Sequence, residues 1–99
     1  MYSITNLNKL AHVGELVPQT MQAFKDWVKL AVADGAIPKK YKELMAIVVA
    51  LSTQCPYCIE VHRQQAVDAG ATETELAEAI HVAAALRAGG AITHGTHLF

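Results

Sequence analysis

The chain has 99 residues, of which 53% are hydrophobic and 17% charged, and its formal net charge at pH 7 is −1. A chain of this length usually builds one hydrophobic core, so we expect a single domain over residues 1–99. So weak a charge provides no basic field for a nucleic acid, and no apolar run reaches the roughly 20 residues of a membrane span. The first residues lack the regions of a signal peptide, so we expect a cytoplasmic protein. The apolar fraction is high for so short a chain, which predicts apolar surface between subunits.

The first predicted helix lies between Pro18 and Gly35. Met21, Phe24 and Trp27 recur there at helical spacing, so we expect an amphipathic helix with these three side chains in the core.

A second helix is predicted over residues 41–54. From Leu44 to Leu51 it is apolar on every side, which is typical of a central helix or one that faces another subunit. The β-branched Val48 and Val49 would also suit a strand, but no turn residue separates them from the start of the segment. We therefore favour a helix.

The last long helix is predicted to begin at a capping box formed by Thr72 and Glu75. Gly89 and Gly90 are expected to break or kink it before residues 91–99, which form a last short helix or a tail. With short connections throughout, the predicted architecture is an all-α helical bundle.

The chain's two cysteines lie at the start of the third predicted helix, which runs from Pro56 to a C-terminal cap at Gly70. Cys55 then occupies the N-cap and Cys58 the first turn, where free backbone N–H groups and the helix dipole favour a thiolate. Residues three apart on a helix are near enough for a disulfide, so reversible oxidation is available. In a reducing compartment such a pair is more often catalytic or metal-binding than structural.

Two further residues are expected beside this pair. His62 lies one turn beyond Cys58, within direct or water-mediated reach of its sulfur. If the second and third helices form an antiparallel hairpin, Glu43 lies at the height of His62 and holds its ring in one tautomer. We therefore expect Cys58 to be the activated thiol.

The spacing of Glu43, Cys55, Cys58 and His62, E-x11-C-x2-C-x3-H, resembles the signature of the AhpD-like alkylhydroperoxidases within the carboxymuconolactone decarboxylase superfamily. The resemblance covers roughly residues 34–85. It implies an AhpD-like helical bundle assembled as a trimer or hexamer, with a redox-active Cys55–Cys58 disulfide and no bound cofactor. Cys58 would attack a small peroxide or disulfide, Cys55 would resolve the intermediate, and Glu43 and His62 would relay protons. The implied partners are lipoylated protein domains or a peroxiredoxin.

Several other interpretations stay open. Tyr57 replaces a histidine that some peroxidase members carry before the second cysteine, and a phenol cannot serve as the base near neutral pH. Cys55 and Cys58 could be packed core thiols, or zinc ligands together with His62 and Glu43 in a nonenzymatic adaptor. Decarboxylation of a lactone acid, the superfamily's namesake chemistry, would need no thiol pair.

The remaining polar candidates have simpler interpretations. We expect His81 to form a helix-face pair, and we assign no role to His94 or His97. The lysines within residues 39–42 are expected to form a solvated face, or to attract an acidic partner such as a lipoyl domain.

Overall fold

The structure, a computed structural model, describes residues 2–99. Over that range the chain forms helices and short connections without a strand, which confirms the all-α prediction. The α-helices are α1 (Leu10–Leu16), α2 (Pro18–Ala31), α3 (Lys39–Thr53), α4 (Pro56–Asp68) and α5 (Glu73–His94). Two 3-10 helices cover Ile4–Lys9 and Gly95–Leu98.

Helix α3 is the centre of the fold, because α4 packs on one of its sides and α5 on another. Its buried residues are Glu43, Ile47 and Ala50, which share one face at helical spacing. The other fully covered positions belong to the neighbouring helices and are all alanines: Ala66, Ala79 and Ala83. Small side chains at these contacts let the helices approach closely, so the core is thin.

A tight turn joins α3 to α4. Gln54 adopts a left-handed conformation at φ 56°, and the Cys55 N–H donates to the carbonyl of Ala50 at 3.0 Å. A left-handed residue other than glycine costs roughly 1–2 kcal/mol, so the packing of the two helices must offset this strain. The predicted antiparallel hairpin is thus present, with its reversal at Gln54.

Helix α5 begins as predicted and ends later than predicted. The Thr72 hydroxyl accepts the Glu75 N–H, and the Glu75 carboxylate accepts the Thr72 N–H, which confirms the capping box. The predicted break at Gly89 and Gly90 is wrong, because the helix continues to His94. A glycine costs a helix about 1 kcal/mol relative to alanine, which weakens it without removing its hydrogen bonds.

Residues 4–31 form an N-terminal arm, made of the first 3-10 helix, α1 and α2. Among the described elements α2 packs only against α1, and the 3-10 helix connects the arm to α4. The prediction that Met21, Phe24 and Trp27 lie in the core is wrong, because Phe24 is 57% and Trp27 73% exposed and Met21 is half-buried. No further helix of the described chain covers that side of α2.

The arm makes the molecule long for its size. The radius of gyration is 16.3 Å, whereas a compact domain of 100 residues has about 13 Å. The two helices before α2 begin without a side-chain cap, since neither Ser3 nor Lys9 caps its helix through the side chain. Of the helices in residues 2–99, none combines the length and apolar character that crossing a membrane requires.

We expect the same substitution to have opposite effects at two kinds of glycine. Gly89→Ala and Gly90→Ala should each raise the free energy of unfolding by about 0.5–1 kcal/mol, since both lie inside α5 with open space where the methyl group would be. Gly70→Ala should lower it, because Gly70 has φ +99°. Urea unfolding measures all three, and a loss of stability at both positions in α5 would contradict the continuous helix.

Candidate active site

The buried carboxylate of Glu43 connects α3 to α4. Its side chain is fully enclosed, and its Oε2 lies 2.7 Å from Nδ1 of His62, while its Oε1 lies 2.8 Å from Nζ of Lys39. Both oxygens are therefore occupied by positive or hydrogen-bonding partners. The predicted pairing of Glu43 with His62 is present in the structure.

This contact determines how His62 can act. With Nδ1 facing a carboxylate, the ring proton of the neutral imidazole belongs on Nδ1, and Nε2 carries the free lone pair. The side chain is only 19% exposed, so the ring is held by the fold. Nε2 is the atom of this pair that can accept a proton.

The lysines within residues 39–42 do not form the solvated cluster that was expected. Lys39 ends on the Glu43 carboxylate, Lys40 Nζ lies 3.0 Å from the Glu75 carboxylate, and Lys42 donates to a backbone carbonyl at 2.8 Å. Each ammonium group thus has a partner within the chain. Their main role in the structure is to join α3 to its surroundings.

The two cysteines begin α4 as predicted. Both are free and half-buried, and Cys55 is the N-cap residue, whose Sγ accepts the Cys58 N–H at 3.4 Å. The side-chain and backbone hydrogen bonds from Cys58 lower the pKa of the Cys55 thiol. The hydrogen bond to Cys55, together with burial, raises the pKa of the Cys58 thiol.

The directions of these two shifts run against the expectation that Cys58 is the more readily ionised thiol of the reduced protein. The Cys58 N–H donates to the Cys55 sulfur at 3.4 Å, which favours negative charge on the N-cap sulfur. Helix position favours a thiolate at both cysteines, so the hydrogen bonding between them is what distinguishes the two sulfurs.

A cavity of about 700 Å³ lies between the N-terminal arm and α4. Cys58 and His62 are part of its wall, and Cys55 lies outside the lining. Most other lining side chains are apolar, among them Leu7, Phe24 and Val28. The volume falls in the ~300–1,000 Å³ range of small-molecule sites. A molecule in this cavity would lie against Cys58 and not against Cys55.

Tyr57 has a role that the sequence did not reveal. Its hydroxyl accepts a hydrogen bond from Nδ2 of Asn6 at 2.9 Å and one from the Ser3 N–H at 3.4 Å, and its ring lies 4.9 Å from that of Tyr2. The residue beside Cys58 thus holds the first 3-10 helix against α4. That helix supplies Leu7 to the cavity wall.

The other candidate groups lie outside this site. Within residues 2–99 no three His, Cys, Asp or Glu side chains are arranged to hold a metal ion, so the four side chains of the zinc alternative do not converge as ligands. The rings of His94 and His97 pack edge-to-face near the C-terminal end, with their centroids 4.9 Å apart. His81 is exposed on α5.

Comparison with known proteins gives the same family in sequence and in structure. Residues 18–99 match the Carboxymuconolactone decarboxylase family. A protein of Paracoccus denitrificans called "Uncharacterized protein 4 in cox locus" is 50% identical over 72 residues, covering 73% of this chain and 65% of that relative, slightly less than two thirds of its length.

Two solved structures have similar folds. One is a carboxymuconolactone decarboxylase family protein from Legionella pneumophila in its apo form, 35% identical, with a TM-score of 0.80 over 94% of this chain and 85% of the other. The second is a protein from Methanobacterium thermoautotrophicum, 33% identical, with a TM-score of 0.79 over 86% of this chain and 96% of the other. At these identities the likeness supports family membership as well as fold.

We expect iodoacetamide to alkylate Cys55 before Cys58 in the reduced protein at neutral pH. The reason is the lowered pKa of Cys55 and the raised pKa of Cys58. Cys58→Ala should raise the pKa of Cys55 toward its ordinary value, because the side-chain donor is lost. Mass spectrometry gives the order of labelling, and the ultraviolet absorbance of the thiolate against pH gives the titration.

The matched control is Ser52→Ala, whose hydroxyl bonds only to the backbone of its own helix. It should leave both thiol titrations unchanged. Earlier labelling of Cys58 would contradict the hydrogen-bond direction described above.

Proposed function

The chain belongs to the carboxymuconolactone decarboxylase family, and we propose that within it the protein is a thiol–disulfide oxidoreductase that also reduces alkyl hydroperoxides. The observation that carries the proposal is the 2.7 Å contact between Glu43 and His62, together with the presence of His62 and Cys58 on the wall of one cavity. A carboxylate-supported imidazole next to a thiol is the arrangement that activates sulfur nucleophiles.

The proposed cycle begins when Nε2 of His62 accepts the Cys58 proton, directly or through a water. The thiolate attacks the outer oxygen of a hydroperoxide, the O–O bond breaks, and the alkoxide takes a proton to leave as an alcohol. Cys58 is then a sulfenic acid. The Cys55 sulfur attacks it, water leaves, and a Cys55–Cys58 disulfide forms. The two sulfurs have supplied the two electrons that the peroxide gained.

The directions of the two thiol pKa shifts fit these separate roles of Cys58 and Cys55. Cys58 faces the cavity but holds its proton in the resting state, so it needs a base when substrate arrives. Cys55 lies outside the cavity lining and its thiol has a lowered pKa, which suits a resolving thiol. A disulfide substrate would follow the same route through a mixed disulfide on Cys58.

Reduction of the Cys55–Cys58 disulfide requires an external dithiol. We propose the lipoyl group of a protein domain for this role, with a peroxiredoxin as a further redox partner. Thiol–disulfide exchange with either passes two electrons and two protons and needs no flavin, nicotinamide or metal on this chain.

We also propose that the protein is a homo-oligomer, either a trimer or a hexamer. The support is a thin core, an elongated shape and a series of large apolar side chains in contact with solvent. On α2 these include Trp27 and Leu30, exposed by 73% and 74%, and on α3 Met45 and Val49 are exposed by 53% and 60%. Apolar surface of this extent on one small chain is typical of subunit interfaces.

Single-turnover reactions test the proposed chemistry. Reduced wild-type protein should consume cumene hydroperoxide and form the intramolecular disulfide. Cys58→Ser should do neither, and Cys55→Ser should stop at a Cys58 sulfenic acid that dimedone traps. Glu43→Gln should slow the reaction at least about tenfold at neutral pH, with recovery at alkaline pH where solvent removes the Cys58 proton.

Glu78→Gln is the matched control, since Glu78 is an exposed carboxylate on α5. It should react at the wild-type rate. If Cys58→Ser and the wild type react equally, the thiol mechanism is wrong. Lactone-acid decarboxylation that persists in a protein with both cysteines replaced by serine would favour the namesake chemistry instead.

Light scattering tests the proposed assembly. The wild type should have the mass of a trimer or a hexamer, and Trp27→Glu should reduce it, because a carboxylate would enter the apolar interface. Gln19→Glu adds the same charge at another exposed position of α2 and should leave the mass unchanged. A wild-type protein that is monomeric at micromolar concentration would contradict the proposal.

A further inference from the structure

We propose that the cavity beside Cys58 binds aliphatic carboxylates, and that the substrate is a fatty-acid hydroperoxide whose carboxylate is held by Lys25 and Lys29. The chemical step rests on the proposed function, whereas the binding can be tested without it. Three features of the cavity carry the inference: its apolar lining, the unpaired ammonium groups on one wall, and the position of the reactive residues on the other.

The lining favours a hydrocarbon chain. Phe24 and Val28 of helix α2 and Val32, the residue directly after it, follow at four-residue intervals, which places them in one row along the cavity. Leu7 and Leu10 of the N-terminal arm extend this apolar surface. Burial of a hydrocarbon chain against it favours binding in proportion to the apolar surface removed from water.

The same helix presents a basic row next to the apolar one. Lys25 and Lys29 both line the cavity, lie one helical turn apart and form no ion pair within residues 2–99. Ammonium groups at this spacing can approach the same carboxylate, since the Cβ atoms of such pairs are about 5–6 Å apart. Their positive charges are therefore available to an anionic ligand.

The other charged lining groups do not cancel this pair. Lys39 forms an ion pair with Glu43 through its Nζ atom. Asp34, the only carboxylate among the described lining residues, accepts the Lys39 N–H at 2.7 Å at the start of α3, where the helix dipole also compensates its charge. The cavity therefore favours an anion on electrostatic grounds.

The opposite wall contains the reacting groups. Cys58, His62 and Gln65 come from one face of α4, whereas the lysines come from α2. A substrate that spans the cavity can thus place its carboxylate at α2 and its reducible bond at the sulfur. The reaction converts the fatty-acid hydroperoxide and two cysteine thiols into the hydroxy acid, water and the protein disulfide, so atoms and electrons balance.

Calorimetric titration of the full-length reduced protein with octanoate and with octan-1-ol tests the binding. The two ligands share a chain and differ in the charged end, and neither can be reduced. Wild type should bind octanoate at least about threefold more tightly, as expected for contacts between exposed charges, and added salt should diminish the difference. In the double variant Lys25→Met and Lys29→Met, octanoate should bind no more tightly than octan-1-ol. The affinity for octan-1-ol should stay at the wild-type value.

The charge-matched control is Lys9→Met with Arg87→Met, which removes two exposed cations that do not line the cavity. It should keep the octanoate preference, and an equal loss in the control would overturn the inference, because net charge would then be the cause. Equal binding of octanoate and octan-1-ol by the wild type would overturn it as well.

Turnover separates the inference from the proposed function. The KM for linoleic acid hydroperoxide should be lower than that for its methyl ester in the wild type, and the two values should converge in the lysine double variant while kcat stays unchanged. Selective octanoate binding without reduction of either hydroperoxide would refute the assigned peroxidase chemistry and leave the carboxylate site supported. Reduction of both hydroperoxides with equal KM would refute the carboxylate site and leave the peroxidase chemistry supported.

Discussion

The buried carboxylate of Glu43, held between Lys39 and His62, is the contact on which the arrangement of the site depends. An ionised carboxylate removed from water costs several kcal/mol unless hydrogen bonds and opposite charge compensate it. Here the two oxygens have partners at 2.8 and 2.7 Å, and one partner belongs to α4. Any slip of α4 along α3 would leave the charge without its imidazole. The interaction that orients His62 therefore also fixes the register of the hairpin, and the proposed catalytic arrangement is a part of the fold.

The start of α4 divides the properties of the thiol pair between its two members. The N-cap sulfur of Cys55 accepts the backbone N–H of Cys58, which favours negative charge outside the cavity. Cys58 lines the cavity, and its hydrogen bonding to Cys55 together with burial raises its pKa. In the proposed cycle the Cys58 thiol therefore depends on a base, which His62 would supply.

Local signals in the sequence predicted most of the helical frame, and long-range packing explains what they missed. The Thr72 cap and the contact between Glu43 and His62 were predictable, because the first involves neighbours in sequence and the second follows from residue counting across a tight turn. The exposure of Trp27 was not predictable. An amphipathic pattern indicates that one face of a helix is covered, but it does not indicate which chain covers that face. The role of Tyr57 depends on a partner 51 positions away, for which the sequence contains no local signal.

Helix α2 has two faces, to which the proposed function and the proposed assembly assign different roles. One face lines the cavity with Val28 and Lys29, while Trp27 and Leu30 point into solvent on the other side of the helix. Within the described chain only α1 supports this helix, so the far wall of the cavity is less firmly held than the α3–α4 hairpin. A second subunit packed on Trp27 would fix α2 from outside and hold the wall at a constant distance from Cys58. Assembly and substrate recognition would then share one helix, and the partner subunit would cover the Trp27 side chain that the single chain exposes.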